Sequence, residues 1–312
     1  MQMLPVFSVI VPCYNEEEVI RETHKRLTRV MREMGEAYEI LYVDDGSRDD
    51  TAKILREMAS EDQNVRAILF ARNAGHQSAV TAGLDYATGD AIVIIDADLQ
   101  DPPEVIPLMA EKWRHGAQVV FGQRKKRDGE TAFKKITASV YYKILSWMTG
   151  GMVPRDTGDF RLVDKKAADV IRGMPEHNRF LRGMFAWAGF KQEAVLYDRD
   201  KRFAGTTEYT LKKMLKLAAD GIFSFSMKPL KFITLLGLGF LGISGLMFLI
   251  LLIALIFGGG SGLWWIAMLM LLCTCCVLSA LGIVGEYIAR IYDESRGRPL
   301  YIVTEAIGFD QE

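Results

Sequence analysis

Two aspartates one residue apart, in Asp96-Ala97-Asp98, follow directly on the apolar run Ala91-Ile92-Val93-Ile94-Ile95. Gly89-Asp90 and Asp101-Pro102-Pro103 bound the run, which reads as a short buried strand. In open α/β sheets ligands bind outside the carboxyl ends of strands, so both carboxylates belong to such a crevice. Hard oxygen donors there suit Mg2+ or Mn2+ shared with a substrate diphosphate. A second acidic turn, Val43-Asp44-Asp45-Gly46-Ser47 with Asp49 beyond, ends another apolar run. Its carboxylates are suited to accept hydrogen bonds from a base imide or ribose hydroxyls, although Asp-Gly-Ser is also common turn chemistry. The first apolar run ends in Val11-Pro12-Cys13-Tyr14-Asn15-Glu16. A Gly-x-Gly-x-x-Gly dinucleotide fingerprint is therefore absent from it.

Alternating elements must hold these groups. Phe7–Val11, Glu39–Val43, Val65–Phe70, Ala91–Ile95 and Gln118–Phe121 read as strands. Glu16–Met34, Thr51–Ala59, Gln77–Ala87 and Pro103–Trp113 read as helices, the first with Asn15 as N-cap. Strand and helix in this rhythm predict an α/β domain with a mostly parallel sheet and right-handed crossovers. The net charge is −1, so no global field favours nucleic acid. Met1–Val11 has no basic start and reads as leading straight into a strand, not as a signal peptide. Cys13 stands apart from Cys273, Cys275 and Cys276, and none has metal-ligand spacing, so all four read as reduced thiols. His24, His76, His115 and His177 are scattered and receive no catalytic role; only His76 lies near the expected cleft.

The last third changes character. Phe232–Phe257 and Gly262–Gly285 contain no charged residue. At 1.5 Å per residue each reaches roughly 35 Å, enough to cross a bilayer with some tilt. Lys228 and Lys231 precede the first span, and Arg290, Arg296 and Arg298 follow the second. The positive-inside rule then predicts a two-helix transmembrane hairpin with both ends cytosolic. Phe133–Trp147 and Leu211–Phe225 mix lysines with apolar and aromatic residues, as interfacial helices do. The domain boundaries expected are 1–210 for the cytosolic catalytic unit, 211–231 for an interfacial helix, 232–287 for the hairpin and 288–312 for a cytosolic tail.

Six stretches in order carry a family pattern: Pro12-Cys13-Tyr14-Asn15-Glu16, Val43-Asp44-Asp45-Gly46-Ser47, Asp96-Ala97-Asp98-Leu99-Gln100, Gly122-Gln123-Arg124, Thr157-Gly158-Asp159-Phe160-Arg161-Leu162 and Arg202-Phe203-Ala204-Gly205-Thr206. With the apolar tail, the chain resembles the inverting family-2 glycosyltransferases of GT-A (Rossmann-like) fold. Within them it is similar to bacterial polyprenyl-phosphate glycosyltransferases related to dolichyl-phosphate mannose synthase. The resemblance implies that Pro12, Tyr14, Glu16, Val43 and Asp45 line the base and ribose pocket of a nucleotide sugar. It implies that Asp96, Ala97, Asp98 and Gln100 hold the metal and diphosphate, with Asp98 the direct ligand. Arg124 and Arg202 are implied as phosphate contacts, and Asp159 as the catalytic carboxylate beside Arg161. It further implies a polyprenyl (undecaprenyl) phosphate acceptor, a multi-pass protein of the inner membrane with its catalytic domain cytosolic, and a homo-oligomer, a tetramer in related enzymes. The chain departs from the pattern at Glu208-Tyr209, where relatives carry lysine before the tyrosine. A carboxylate cannot replace an ammonium as a phosphate contact.

Two other classes are weighed against this one. A processive polysaccharide synthase needs more spans than two and a Gln-x-x-Arg-Trp motif, which the chain lacks. A membrane-anchored scaffold with a dead transferase domain would have no need to keep Asp96, Asp98 and Asp159.

Overall fold

The structure is a computed structural model that describes residues 5–124, 157–200 and 263–309, with isolated helical positions between 233 and 253. The chain divides into two units, Met1–Ala218 with Pro299–Glu312, and Ala219–Arg298.

In the first unit β1 (Phe7–Cys13), α1 (Ile20–Met34), β2 (Tyr38–Asp44), α2 (Thr51–Glu61), β3 (Val65–Phe70), α3 (His76–Tyr86) and β4 (Ala91–Ile94) form an alternating series. After a short 3-10 turn come α4 (Ile106–Arg114), β5 (Val119–Arg124), β6 (Thr157–Asp164), α5 (Lys165–Arg172), α6 (Leu181–Trp187) and β7 (Gln192–Tyr197). The second unit contributes α7 (Leu263–Ser295), after which β8 (Val303–Ile307) rejoins the sheet. The strand order is β7-β5-β6-β4-β1-β2-β3-β8.

Parallel pairing links β4, β1, β2 and β3, and β5 with β7. β6 lies antiparallel between β4 and β5, and β8 runs antiparallel along β3, so the sheet is mixed. Side-chain alternation assigns the faces. Phe7, Val9 and Val11 join Ile40, Tyr42 and Val93 in a core with Ile20, Leu27 and Met31 of α1, Leu55 of α2 and Met109 of α4. Ile10 points the other way, where α3 crosses so closely that a Cβ on Gly83 would stand 2.3 Å from it.

α1 begins at Ile20 rather than at Glu16, and no side chain caps it. Asn15 instead takes a left-handed φ of 55°. The amides of Asn15, Glu16 and Glu17 donate to Ser47 Oγ, Thr51 Oγ1 and Asp49 Oδ2, which stitches the loop after β1 to the loop after β2. A missing N-cap costs about 1 kcal/mol. Burial of Ile20, Leu27 and Met31 outweighs it, at about 1.5–3 kcal/mol per side chain.

β1 has β4 on one side and β2 on the other, so the strand order reverses there. The carboxyl ends of β1, β2 and β4 open on that switch point, which brings the three acidic turns together.

In the second unit, Leu272–Ser295 is the one stretch among the described residues long and apolar enough to cross a membrane, by length and composition. The helix runs past the expected end of the span and carries a Glu286–Arg290 pair at 3.3 Å. Most of the expected first span Phe232–Phe257 lies outside the described residues, as do Phe133–Trp147, Leu211–Phe225 and Glu208-Tyr209.

Candidate active site

Pro12 and Val43 are register partners in adjacent strands, and both are buried. Tyr14 and Glu16 follow at the rim, partly exposed. Asp45 is buried, and its carboxylate accepts from the amides of Ala74 (2.6 Å) and Gly75 (2.9 Å). Burial pushes the Asp45 pKa up, against these amide bonds. This aspartate therefore fixes the turn into α3, a role its place in the acidic motif did not announce. Gly46 beside it has φ 68°, and a Cβ there would stand 2.7 Å from the Arg72 backbone. Asp44 accepts from the Ser47 amide at 3.3 Å and closes the same loop.

After β4 the chain turns sharply. Leu99 is buried with a left-handed φ of 58°, which is strained for a bulky residue. Thr23 Oγ1 donates to the Ala97 carbonyl at 2.6 Å, and the Gln100 amide donates to Asp98 Oδ1 at 3.1 Å. The Gln100 carbonyl accepts from the Asp200 amide at 2.9 Å. Asp98 is buried and Asp96 half-buried. Burial pushes the Asp96 carboxyl up to about 6; His76 opposes the shift, and Asp101, Asp159 and Asp98 add to it. A carboxyl so crowded by others gains from a nearby cation. Among the described residues no group of three or more His, Cys, Asp or Glu is arranged to hold a metal. A divalent ion at Asp96 and Asp98 would take its other oxygens from a diphosphate and water, as Mg2+ commonly does. The donor set fits such an ion.

Asp159 stands on β6, beside β4. Arg182 Nε and Nη2 donate to its two oxygens at 2.7 and 2.9 Å, a bidentate pair. His76 Nε2, at the start of α3, lies 3.3 Å from Asp159 Oδ2 and 3.8 Å from Asp96 Oδ1. Burial disfavours the Asp159 charge, but Arg182 and His76 overcome it and hold the carboxyl well below the usual range. Burial likewise opposes the His76 charge, yet the two aspartates raise its pKa to about 9. Arg161 is buried: it donates to the carbonyls of Asp159 (3.2 Å) and Gly158 (3.1 Å) and lies 4.9 Å from the Phe185 ring centre. Burial lowers its pKa to about 10. It braces the main chain around Asp159.

Arg124 closes β5 with its guanidinium near Gly158, where a Cβ would stand 3.5 Å from Nη2. Gly122 is required two residues earlier, since a Cβ would stand 2.8 Å from the Tyr197 ring. Asp101, also buried, accepts from the Tyr197 hydroxyl and faces Arg199 at 3.6 Å. Arg202 lies outside the described residues. The structure thus brings Asp96 and Asp159 together at His76, with Asp98 near Asp96 and Arg124 beside Gly158, and adds Arg182, His76 and Asp101. The sequence offered only one hint of these three, the position of His76 in the loop before α3.

The family model of glycosyl transferase family 2 matches residues 8–172. The chain belongs to that family. This family 2 glycosyltransferase is 51% identical over 308 residues to an uncharacterized glycosyltransferase, YkcC, of Bacillus subtilis, covering 98% of this chain and 95% of that protein. It is 38% identical over 301 residues to a prophage bactoprenol glucosyl transferase homolog of Escherichia coli, covering 95% and 97%. The bactoprenol glucosyl transferase of Shigella phage SfV is also 38% identical, over 298 residues, with 95% and 97% covered. Among solved structures, the glycosyltransferase is similar to glucosyl-3-phosphoglycerate synthase of Mycobacterium tuberculosis. That match has TM-score 0.48 and 20% identity over 70% of this chain and 78% of that one.

Proposed function

We propose that this glycosyltransferase moves a sugar from a nucleotide sugar to polyprenyl phosphate, undecaprenyl phosphate foremost, at the cytosolic face of the cell membrane. One observation carries the choice of acceptor: both Asp159 oxygens accept from the Arg182 fork and one also faces His76 Nε2 at 3.3 Å, an arrangement ill-suited to accepting a proton. Asp159 is held as a carboxylate of low pKa, and His76 keeps its proton up to about 9. A base for a sugar hydroxyl works best with a pKa near the operating pH. A phosphate monoester needs none, since its second pKa of about 6 leaves it largely dianionic in the cytosol. The names of the bactoprenol glucosyl transferases, similar over nearly the full length of both chains, support the same acceptor and a glucosyl group, for which UDP-glucose is the first donor to try. UDP-N-acetylglucosamine is the next donor to try.

In this reading Pro12, Tyr14, Glu16 and Val43 line the base and ribose pocket of a GT-A type domain, and Asp45 shapes its floor. Asp96 and Asp98 hold Mg2+ or Mn2+ with Ala97 and Gln100 alongside. Such an ion, when bound, offsets charge on the departing diphosphate. Arg124 and Arg202 contact phosphate groups. Asp159 orients the sugar, whose hydroxyls can donate to it, and attack opposite the leaving group inverts the anomeric centre. The span Phe232–Phe257 pairs with the helix that follows it as a hairpin with both ends cytosolic, in a protein that forms homo-oligomers. A lipid phosphate does not leave the headgroup plane cheaply, so an anchored catalytic unit meets it there.

The test is to incubate membranes containing the protein with several nucleotide sugars and a short polyprenyl phosphate, then to weigh the lipid products by mass spectrometry. One hexose added to the lipid phosphate is expected. An exclusively water-soluble product overturns the proposal.

A further inference from the structure

The ion pair between Asp159 and Arg182 has features that a stray surface bridge lacks. It is bidentate at 2.7 and 2.9 Å, and the two side chains are only 12% and 19% exposed. Arg182 is itself fixed in place. It stands second in α6, whose first amide, at Leu181, donates to Gln77 Oε1 at 3.0 Å. Gln77 follows His76 at the start of α3, so a single clamp between α3 and α6 delivers both cationic groups to the same carboxylate. Arg161 braces the strand beneath through the carbonyls of residues 158 and 159. Asp96 lies beyond His76, 3.8 Å from its Nε2.

We infer that Arg182 is a positioning residue for glycosyl transfer, acting through Asp159: its planar fork fixes the orientation of that carboxylate. This rests on the transfer reaction proposed above. Loss of Arg182 leaves a buried carboxylate with one partner fewer and free to rotate, and a misplacement of about 1 Å costs a reaction roughly 100-fold.

The experiment is a double-mutant cycle on the full chain in membranes, with Asp159→Asn, Arg182→Gln and both together, reading kcat and UDP affinity. Each single change is expected to lower kcat by about 100-fold with UDP affinity unchanged, and the pair to be no slower than the worse single variant. Independent roles would multiply to a loss of about 10,000-fold, and that result overturns the inference, as does wild-type kcat in Arg182→Gln. Arg182→Lys keeps the charge without the fork and is expected to fold and to recover only part of the rate; full recovery overturns the claim for the fork. A thermal cycle reads the coupling without turnover. Asp159→Asn should lower Tm in the unmodified chain, where it removes the bidentate pair with Arg182, and leave Tm unchanged or raise it in the Arg182→Gln background. Equal shifts in both backgrounds refute the pairing. A chain that makes no lipid-linked sugar refutes the proposed function, whereas additive losses in an active enzyme refute this inference alone.

Discussion

The carboxylate of Asp45 accepts both the Ala74 and the Gly75 amides, so the end of one strand sets the first turn of the helix that carries His76. Asp45→Ala deletes these acceptors and removes a partner from each of two part-buried amides, at about 1 kcal/mol each. A fall in Tm together with a fall in kcat is expected, because His76 loses its register against Asp159. Urea unfolding followed through the tryptophan fluorescence measures the first, and lipid-linked sugar formation the second. Unchanged stability would mean that the turn into α3 holds without Asp45.

Gly46→Ala tests the neighbouring constraint. The added Cβ would meet the Arg72 carbonyl carbon at 2.7 Å and the Asn73 nitrogen at 2.8 Å, at a left-handed φ of 68°. Both contacts are with backbone, which cannot rotate away. A loss of about 1–3 kcal/mol in unfolding free energy is expected from the strain. Substitution at Gly35, where nothing lies within 4 Å and φ is 71°, is the control: it shares the dihedral penalty without the collision.

Asp98→Ala should abolish transfer while leaving membrane insertion intact. Calorimetric titration with Mn2+ in the presence of UDP should lose its heat in the variant. EDTA should silence the wild type, and added Mg2+ or Mn2+ should restore it. Full turnover in excess EDTA contradicts the assignment of the carboxylates.

The pH dependence of stability has a defined sign at Asp159. Its folded pKa is depressed, so its contribution is present above the unfolded value, near 3.9, and is lost as pH falls through the folded pKa. The Tm difference that Asp159→Asn makes, measured in EDTA in an Asp96→Asn background so that Asp96 does not titrate near pH 6, should be constant from pH 7 to about 5 and shrink at still lower pH. A difference that grows on acidification contradicts the ion pair.

The C-terminal segment carries its own test. Tyr301 stacks on Phe70 with ring centres 5.0 Å apart and donates to Asp85 Oδ2 at 2.7 Å. Beside it, Arg56 pairs with Glu305 at 2.7 Å, and Thr304 Oγ1 donates to the Leu69 carbonyl at 3.0 Å. Tyr301→Ala should cost about 1–3 kcal/mol through the lost stacking and hydrogen bond. Ending the chain before β8 should expose the edge of β3 and promote aggregation, read by size-exclusion chromatography in detergent.

Much of the first unit was legible locally. Apolar runs of strand length, bounded by Gly, Pro and Asp, located β1 to β5, and helical periodicity located α1 to α4 to within a few residues. The start of α1 was misplaced because the capping signal at Asn15 is outbid by Ser47, Thr51 and Asp49, residues distant in sequence. β6 lacks the continuous apolar run that marks β1 to β5, because Asp159 and Arg161 alternate with Phe160 and Leu162. Arg161 is nevertheless buried, satisfied by carbonyls of its own strand. β8 is a short, polar edge strand that has no reason to be extended until β3 offers its free edge.

The amino-acid sequence by itself determined the acidic strand ends, the α/β rhythm, the family and an apolar helix in the last third, because each depends on residue types at short, fixed spacing. Only the tertiary structure decided what surrounds Asp159. Arg182 arrives from 23 residues away and His76 from another strand–helix unit. The sheet order, with β6 placed antiparallel beside β4, gives that carboxylate its partners. Ion pairing depends on distance in space, and no local pattern encodes which of the many arginines will close it.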